Sequence, residues 1–80
     1  MNESDADFYL TNLGVLLKET ALSARQRAGD ATDPADKAFE QGRAMAYYEV
    51  ISLMKQQAEA FGIDAARISL ADIEPDRDLL

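Results

Sequence analysis

The chain contains no cysteine, no histidine and no tryptophan, and only two prolines in eighty residues. Without cysteine there is neither a disulfide framework nor a thiolate to act as nucleophile or metal ligand. Without histidine, zinc and imidazole-based sites go as well. Aliphatic runs are short, as in Val15-Leu16-Leu17, far below the ~20 residues that cross a bilayer. Basic residues are few: eight against fifteen acidic ones give a net charge of −7 and a pI near 4.3. A surface of that sign repels phosphate backbones, so no nucleic-acid partner is expected. It suits a basic partner protein, or simply keeps the chain in solution. The opening Met1-Asn2-Glu3-Ser4-Asp5 is acidic and leads into no apolar run, so no leader is read there and a cytoplasmic setting is expected.

What remains is small and helical. A single core of this size rarely supplies more than ~3–5 kcal/mol unaided, and the usual supports are disulfides, a metal or oligomerisation. With the first removed and no metal site expected, self-association is the one left. The expected fold is all-α: an antiparallel αα-hairpin with a short C-terminal helical tail, two copies forming a four-helix bundle. The first helix is expected over about 4–28, the second over about 34–61, and the tail, with one or two helical turns, over 63–80.

The second helix carries the clearest punctuation. Asp33-Pro34 reads as an N-cap followed by proline at the first helical position. Phe61-Gly62-Ile63 reads as a Schellman ending, with Gly62 free to take the left-handed conformation. Ser4 is the expected N-cap of the first helix, with Asp7 closing an acidic variant of the capping box, and Gly29 is its expected C-cap. The five residues from Gly29 to Asp33 are short enough to bring the helices back antiparallel. In the tail, Asp64 is placed to cap a turn over 65–68, and Ser69 another over 70–73.

Apolar residues outnumber the places one hairpin has for them. On the first helix the main stripe runs Ala6, Leu10, Leu13, Leu17, Ala21, Ala24 and Ala28. On the second it runs Ala35, Phe39, Gly42, Ala46, Val50, Leu53 and Ala60. These two stripes are the expected hairpin core. A second seam, Ala44, Tyr47, Ile51, Met54 and Ala58, is centred about 90° away at 100° per residue. On the first helix Phe8, Val15 and Leu22 recur on the side opposite the main stripe. The surplus residues Phe8, Val15, Leu22, Tyr47, Ile51 and Met54 are therefore the expected dimer interface. Gly42, a small residue inside an apolar stripe at ~1 kcal/mol cost in helix propensity, is the expected point of close helix approach. Arg43 and Glu49 flank that stripe, either as an intersubunit ion pair fixing register or as side chains reaching past the core to water.

Nothing in the chain reads as catalytic, cofactor-binding or metal-binding. Ser4, Ser23, Ser52 and Ser69 have no neighbouring base, and Lys18, Lys37 and Lys55 lie on polar helix faces. The glycines at 14, 29, 42 and 62 form no phosphate-cradling loop. Asp36 and Glu40 are accounted for by the positive end of the helix dipole, and Tyr48 by the polar helix face.

Phe39-x-x-Gly42-Arg43-x-x-Ala46-Tyr47-Tyr48-Glu49-Val50-Ile51-Ser52, then Ala60-Phe61-Gly62-Ile63 and the closing Asp76-Arg77-Asp78-Leu79-Leu80, resembles a group of small bacterial helical-hairpin proteins with an FxxGRxxAYYEV-type motif. The resemblance covers the second half of the chain. It implies a bacterial helical protein and brings no activity with it. The expectation is a non-enzymatic homodimeric interaction module, an adaptor or regulator whose partners are itself and, through it, another protein. The rival expectation is an acidic inhibitor, of immunity or antitoxin type, neutralising a basic partner.

Overall fold

A computed structural model describes the backbone of residues 3–80 and the side chains from residue 5 onward. Helix α1 spans Glu3–Asp30 and α2 spans Pro34–Ala60. A single 3₁₀ turn over Ala65–Ile68 and a short helix α3, Pro75–Asp78, complete the chain. No strand occurs among the described residues.

The punctuation of α2 holds at both ends. Asp33 is the extended N-cap (φ −76°, ψ 125°) with Pro34 after it, although its carboxylate makes no capping hydrogen bond. At the other end the Gly62 N–H donates to Glu59 O (3.1 Å) and the Ile63 N–H to Ala58 O (2.7 Å). Gly62 stands at φ +69°, so the pair of bonds is the Schellman arrangement and only glycine reaches it without strain. Asp64 caps the 3₁₀ turn, accepting from Ala66 N–H at 3.0 Å. The remaining cap assignments move. The helix already includes Glu3, so Ser4 is not its N-cap, and the Ser4 side chain lies outside those described. Gly29 is inside α1, which continues to Asp30. Ser69 starts no helix; it ends the 3₁₀ turn in the left-handed region at φ 61°.

The two long helices pack antiparallel, as the short connection requires. The tail then turns back and lies along the groove on one face of the pair. The cluster of buried residues comprises Ala21, Ile51, Ala58, Ile68, Leu70, Ile73 and Leu79, with Tyr47, Tyr48 and Met54 packed against it. Four of those seven buried residues belong to the tail, which is thus the larger half of the core.

Close approach occurs at Gly14. A Cβ built there would lie 1.7 Å from Ile68 O and 2.8 Å from its carbonyl carbon. Glycine is required because the backbone of the 3₁₀ turn crosses directly over α1. Gly42 has nothing within 4 Å, so the close packing expected there is not made within the chain.

Polar contacts stitch the tail to both helices. Thr11 Oγ1 donates to Arg67 O (2.7 Å), and Arg67 reaches Asp7 (3.2 Å). Lys18 binds Asp72 (2.8 Å), Tyr48 donates to Asp76, and Lys55 donates to the Ile73 carbonyl and to Glu74 (3.3 Å). Arg77 grips Asp78, which also accepts from the Glu74 N–H at 2.9 Å. The Arg77 guanidinium and that N–H hold the Asp78 carboxyl down at about 2, and Lys18 holds Asp72 below the ordinary carboxylate range.

The Asp78 contacts make the α3 turn acid-labile. A carboxyl whose folded pKa is depressed contributes stability that is complete above its unfolded value, near 4, and disappears as pH falls through the folded one. Protection of the Glu74 and Leu79 amides, read by hydrogen exchange as protection factors, should therefore fall between about pH 4 and pH 2. Asp78→Asn should flatten that dependence; an identical profile in the variant would remove Asp78 as its cause.

Candidate interaction face

With the tail on one side of the helix pair, the other side is uncovered. The helix pair and the tail laid on it account for every described element. There is no second layer under which α1 and α2 could bury that side.

Helix phase decides which residues face it. At 100° per residue the tail-facing side of α1 holds Asp7, Thr11, Gly14 and Lys18, and its contact with α2 holds Leu17, Ala21, Ala24 and Ala28. Beyond that contact, away from the tail, come Leu13, Leu16 and Tyr9. On α2 the tail side holds Tyr48 and Lys55, the α1 contact Tyr47, Ile51, Met54 and Ala58, and the far side Phe39, Gly42, Ala46, Val50, Leu53 and Phe61. In an antiparallel pair these two far flanks adjoin and form one surface. Its large residues are open to water: Tyr9 62%, Leu16 51%, Phe39 65%, Val50 42%, Leu53 58% and Phe61 76% exposed. Scattered exposed apolars are ordinary, but six large ones on one side of a helix pair are not, even with the exposed Gln57 among them.

The roles of the two α2 stripes are thus exchanged relative to the sequence expectation. Ile51 is fully buried within its own chain, and Tyr47 and Met54 are half-buried against the same cluster, so none of the three is a free between-chain seam. Phe39, Val50 and Leu53, expected in the hairpin core, are exposed. The reason is the tail: Leu70, Ile73 and Leu79 draw the Ile51 seam inward, and α2 turns its broader stripe away, while α1 keeps Ala21, Ala24 and Ala28 of its own stripe buried as expected. Phe8 and Leu22 are exposed on the flank of α1 beyond the tail, and Val15 there is half-buried; they do not join the open face.

Arg43 lies at the edge of this face and is engaged within its chain. It pairs with Glu40 at 2.8 Å and stands 6.0 Å from the Phe39 ring centroid. Glu49 is exposed on the opposite edge and has no ionic partner among the described residues. The Arg43–Glu49 pairing therefore competes with a contact already made.

No cluster of acidic side chains suited to a metal ion occurs among the described residues. None of their helices is long and apolar enough to cross a membrane. Comparison with protein-family models, with curated proteins and with solved structures finds no match.

Proposed function

We propose that this chain is a non-enzymatic homodimeric interaction module whose two hairpins pack through their open apolar faces into a four-helix bundle, serving as an adaptor or regulator of another protein. The observation that carries this reading is the set of exposed apolar side chains, Tyr9, Leu16, Phe39, Val50, Leu53 and Phe61, on the side of the helix pair that the tail leaves uncovered. Covering it in two copies removes on the order of 1,200 Å² from water, the lower edge of what stable interfaces bury. A two-fold axis through the face lets the same residues serve both chains. Gly42 and Ala46, with no side-chain bulk, then permit close approach of the partner's helix. The tails stay outside, on the two outer faces of the bundle.

Sedimentation equilibrium at micromolar concentration should return twice the 8.8 kDa chain mass. Leu53→Glu should return a folded monomer, because it places a charge on the open face without touching the intrachain core. Gly42→Leu should weaken association for a steric reason. A wild-type monomer whose melt is independent of concentration rejects the dimer.

A further inference from the structure

Five of the eight basic side chains are paired with a carboxylate of the same chain: Lys18 with Asp72, Arg43 with Glu40, Lys55 with Glu74, Arg67 with Asp7 and Arg77 with Asp78. The other three, Arg25, Arg27 and Lys37, have no carboxylate partner among the described residues. In a chain with fifteen acidic residues that is unexpected, and all three lie near the loop end of the hairpin.

Two of them, Arg25 and Lys37, line a cavity of about 570 Å³ between α1, α2 and the end of the tail. The cavity is apolar inside. Ala28, Ala44 and Leu79 are buried in its lining, and Met45, 46% exposed, supplies an adaptable wall. Arg25 spends one donor on a long 3.4 Å bond to the Leu80 carbonyl; the rest of its fork is uncommitted. The Lys37 ammonium makes no hydrogen bond among the described residues.

We infer that this cavity binds a small amphipathic anion: a carboxylate held between Arg25 and Lys37, with an apolar body lying over Ala28, Ala44 and Leu79. The volume falls in the range of ligand sites and admits a body on the order of ten heavy atoms. A headgroup that meets two cations engaged in no ion pair gains charge-assisted hydrogen bonds, at the expense of no more than the long Arg25–Leu80 contact. The chain's net charge of −7 disfavours an anionic membrane surface as the source, so the ligand is a free molecule. The site opens on the tail face, opposite the face proposed for association, and stands or falls separately from it.

The probe is sodium decanoate below its micelle threshold, titrated into ¹⁵N-labelled full-length protein. Saturable amide shifts are expected at Ala28, Gly29, Met45 and Leu79. Decanol should bind at least tenfold more weakly, and Lys37→Gln or Arg25→Gln should each weaken decanoate about five- to tenfold. Arg27→Gln, which removes a cation near the loop end that neither lines the cavity nor seats the tail, should leave the affinity unchanged. Lys37 is exposed, so loss of fold will not confuse its result, and circular dichroism verifies this. Equal affinity for decanol, shifts gathered at Leu16, Val50 and Leu53, or no saturation would each overturn the assignment. Shifts produced by vesicles of anionic phospholipid and not by decanoate would overturn it too.

Discussion

Gly14→Ala should destabilise the folded chain by about 2 kcal/mol or more, although alanine is the better helix former by ~1 kcal/mol. The added methyl would sit 1.7 Å from Ile68 O, and both nearest atoms are backbone, so no side chain can swing aside. Overpacking costs ~1–3 kcal/mol where a core can adjust and more where it cannot. Relief requires the 3₁₀ turn to lift from α1, which strips Ile68 and Leu70 from the core and breaks the Thr11–Arg67 bond. Gly42→Ala is the matched reference: the same chemistry, also mid-helix, with open space around it. Urea titrations of the two at equal protein concentration should move in opposite directions, Gly42→Ala upward by as much as ~1 kcal/mol. Equal midpoints would mean that the tail does not cross at Gly14.

Leu70→Ala should cost as much as Ile51→Ala, about 2–5 kcal/mol each. Both side chains are fully buried, one on the long helix and one in the irregular tail. Against a total of ~3–5 kcal/mol for a domain this small, either change leaves the monomer close to unfolding. Leu53→Ala, on a side chain 58% exposed, should change the monomer by less than about 1 kcal/mol and act instead on association. Denaturant midpoints and far-ultraviolet dichroism at two protein concentrations separate these cases. If Leu70→Ala behaves like Leu53→Ala, the tail is an ornament on a core made by the helices alone.

The hairpin was legible because its signals are local. Asp33-Pro34 and Phe61-Gly62-Ile63 act within a few residues of themselves, and the structure returns both ends of α2 where they place them. Periodicity likewise identified two apolar stripes on α2. It could not say which one faces inward, because the answer depends on a third element that shows no period. Ile68, Leu70, Ile73 and Leu79 are spread over turns and a four-residue helix, and their joint burial is a tertiary fact. The same blindness transferred close approach from Gly14 to Gly42: both are helical glycines, and only the path of residues 65–68 distinguishes them. In the sequence Lys37 is a cation on a polar helix face, and Arg25 carries no signal of its own. Their distinction, that every cation outside the loop end has a carboxylate and they do not, exists only once the docked tail joins Lys18 to Asp72, Lys55 to Glu74 and Arg67 to Asp7.

The contacts that seat the tail on α1 join residues 54 to 60 positions apart in the chain. Such pairings are slow to form relative to helix turns, because the intervening loop must close before they bring any gain. During synthesis, at ~5–20 residues per second, both long helices exist before the ribosome has released the residues that complete their core. A polypeptide cut short before Ile68 would present the groove of Ala21, Ile51 and Ala58 bare, alongside the open face. Only chains that extend through Leu79 can hide that groove.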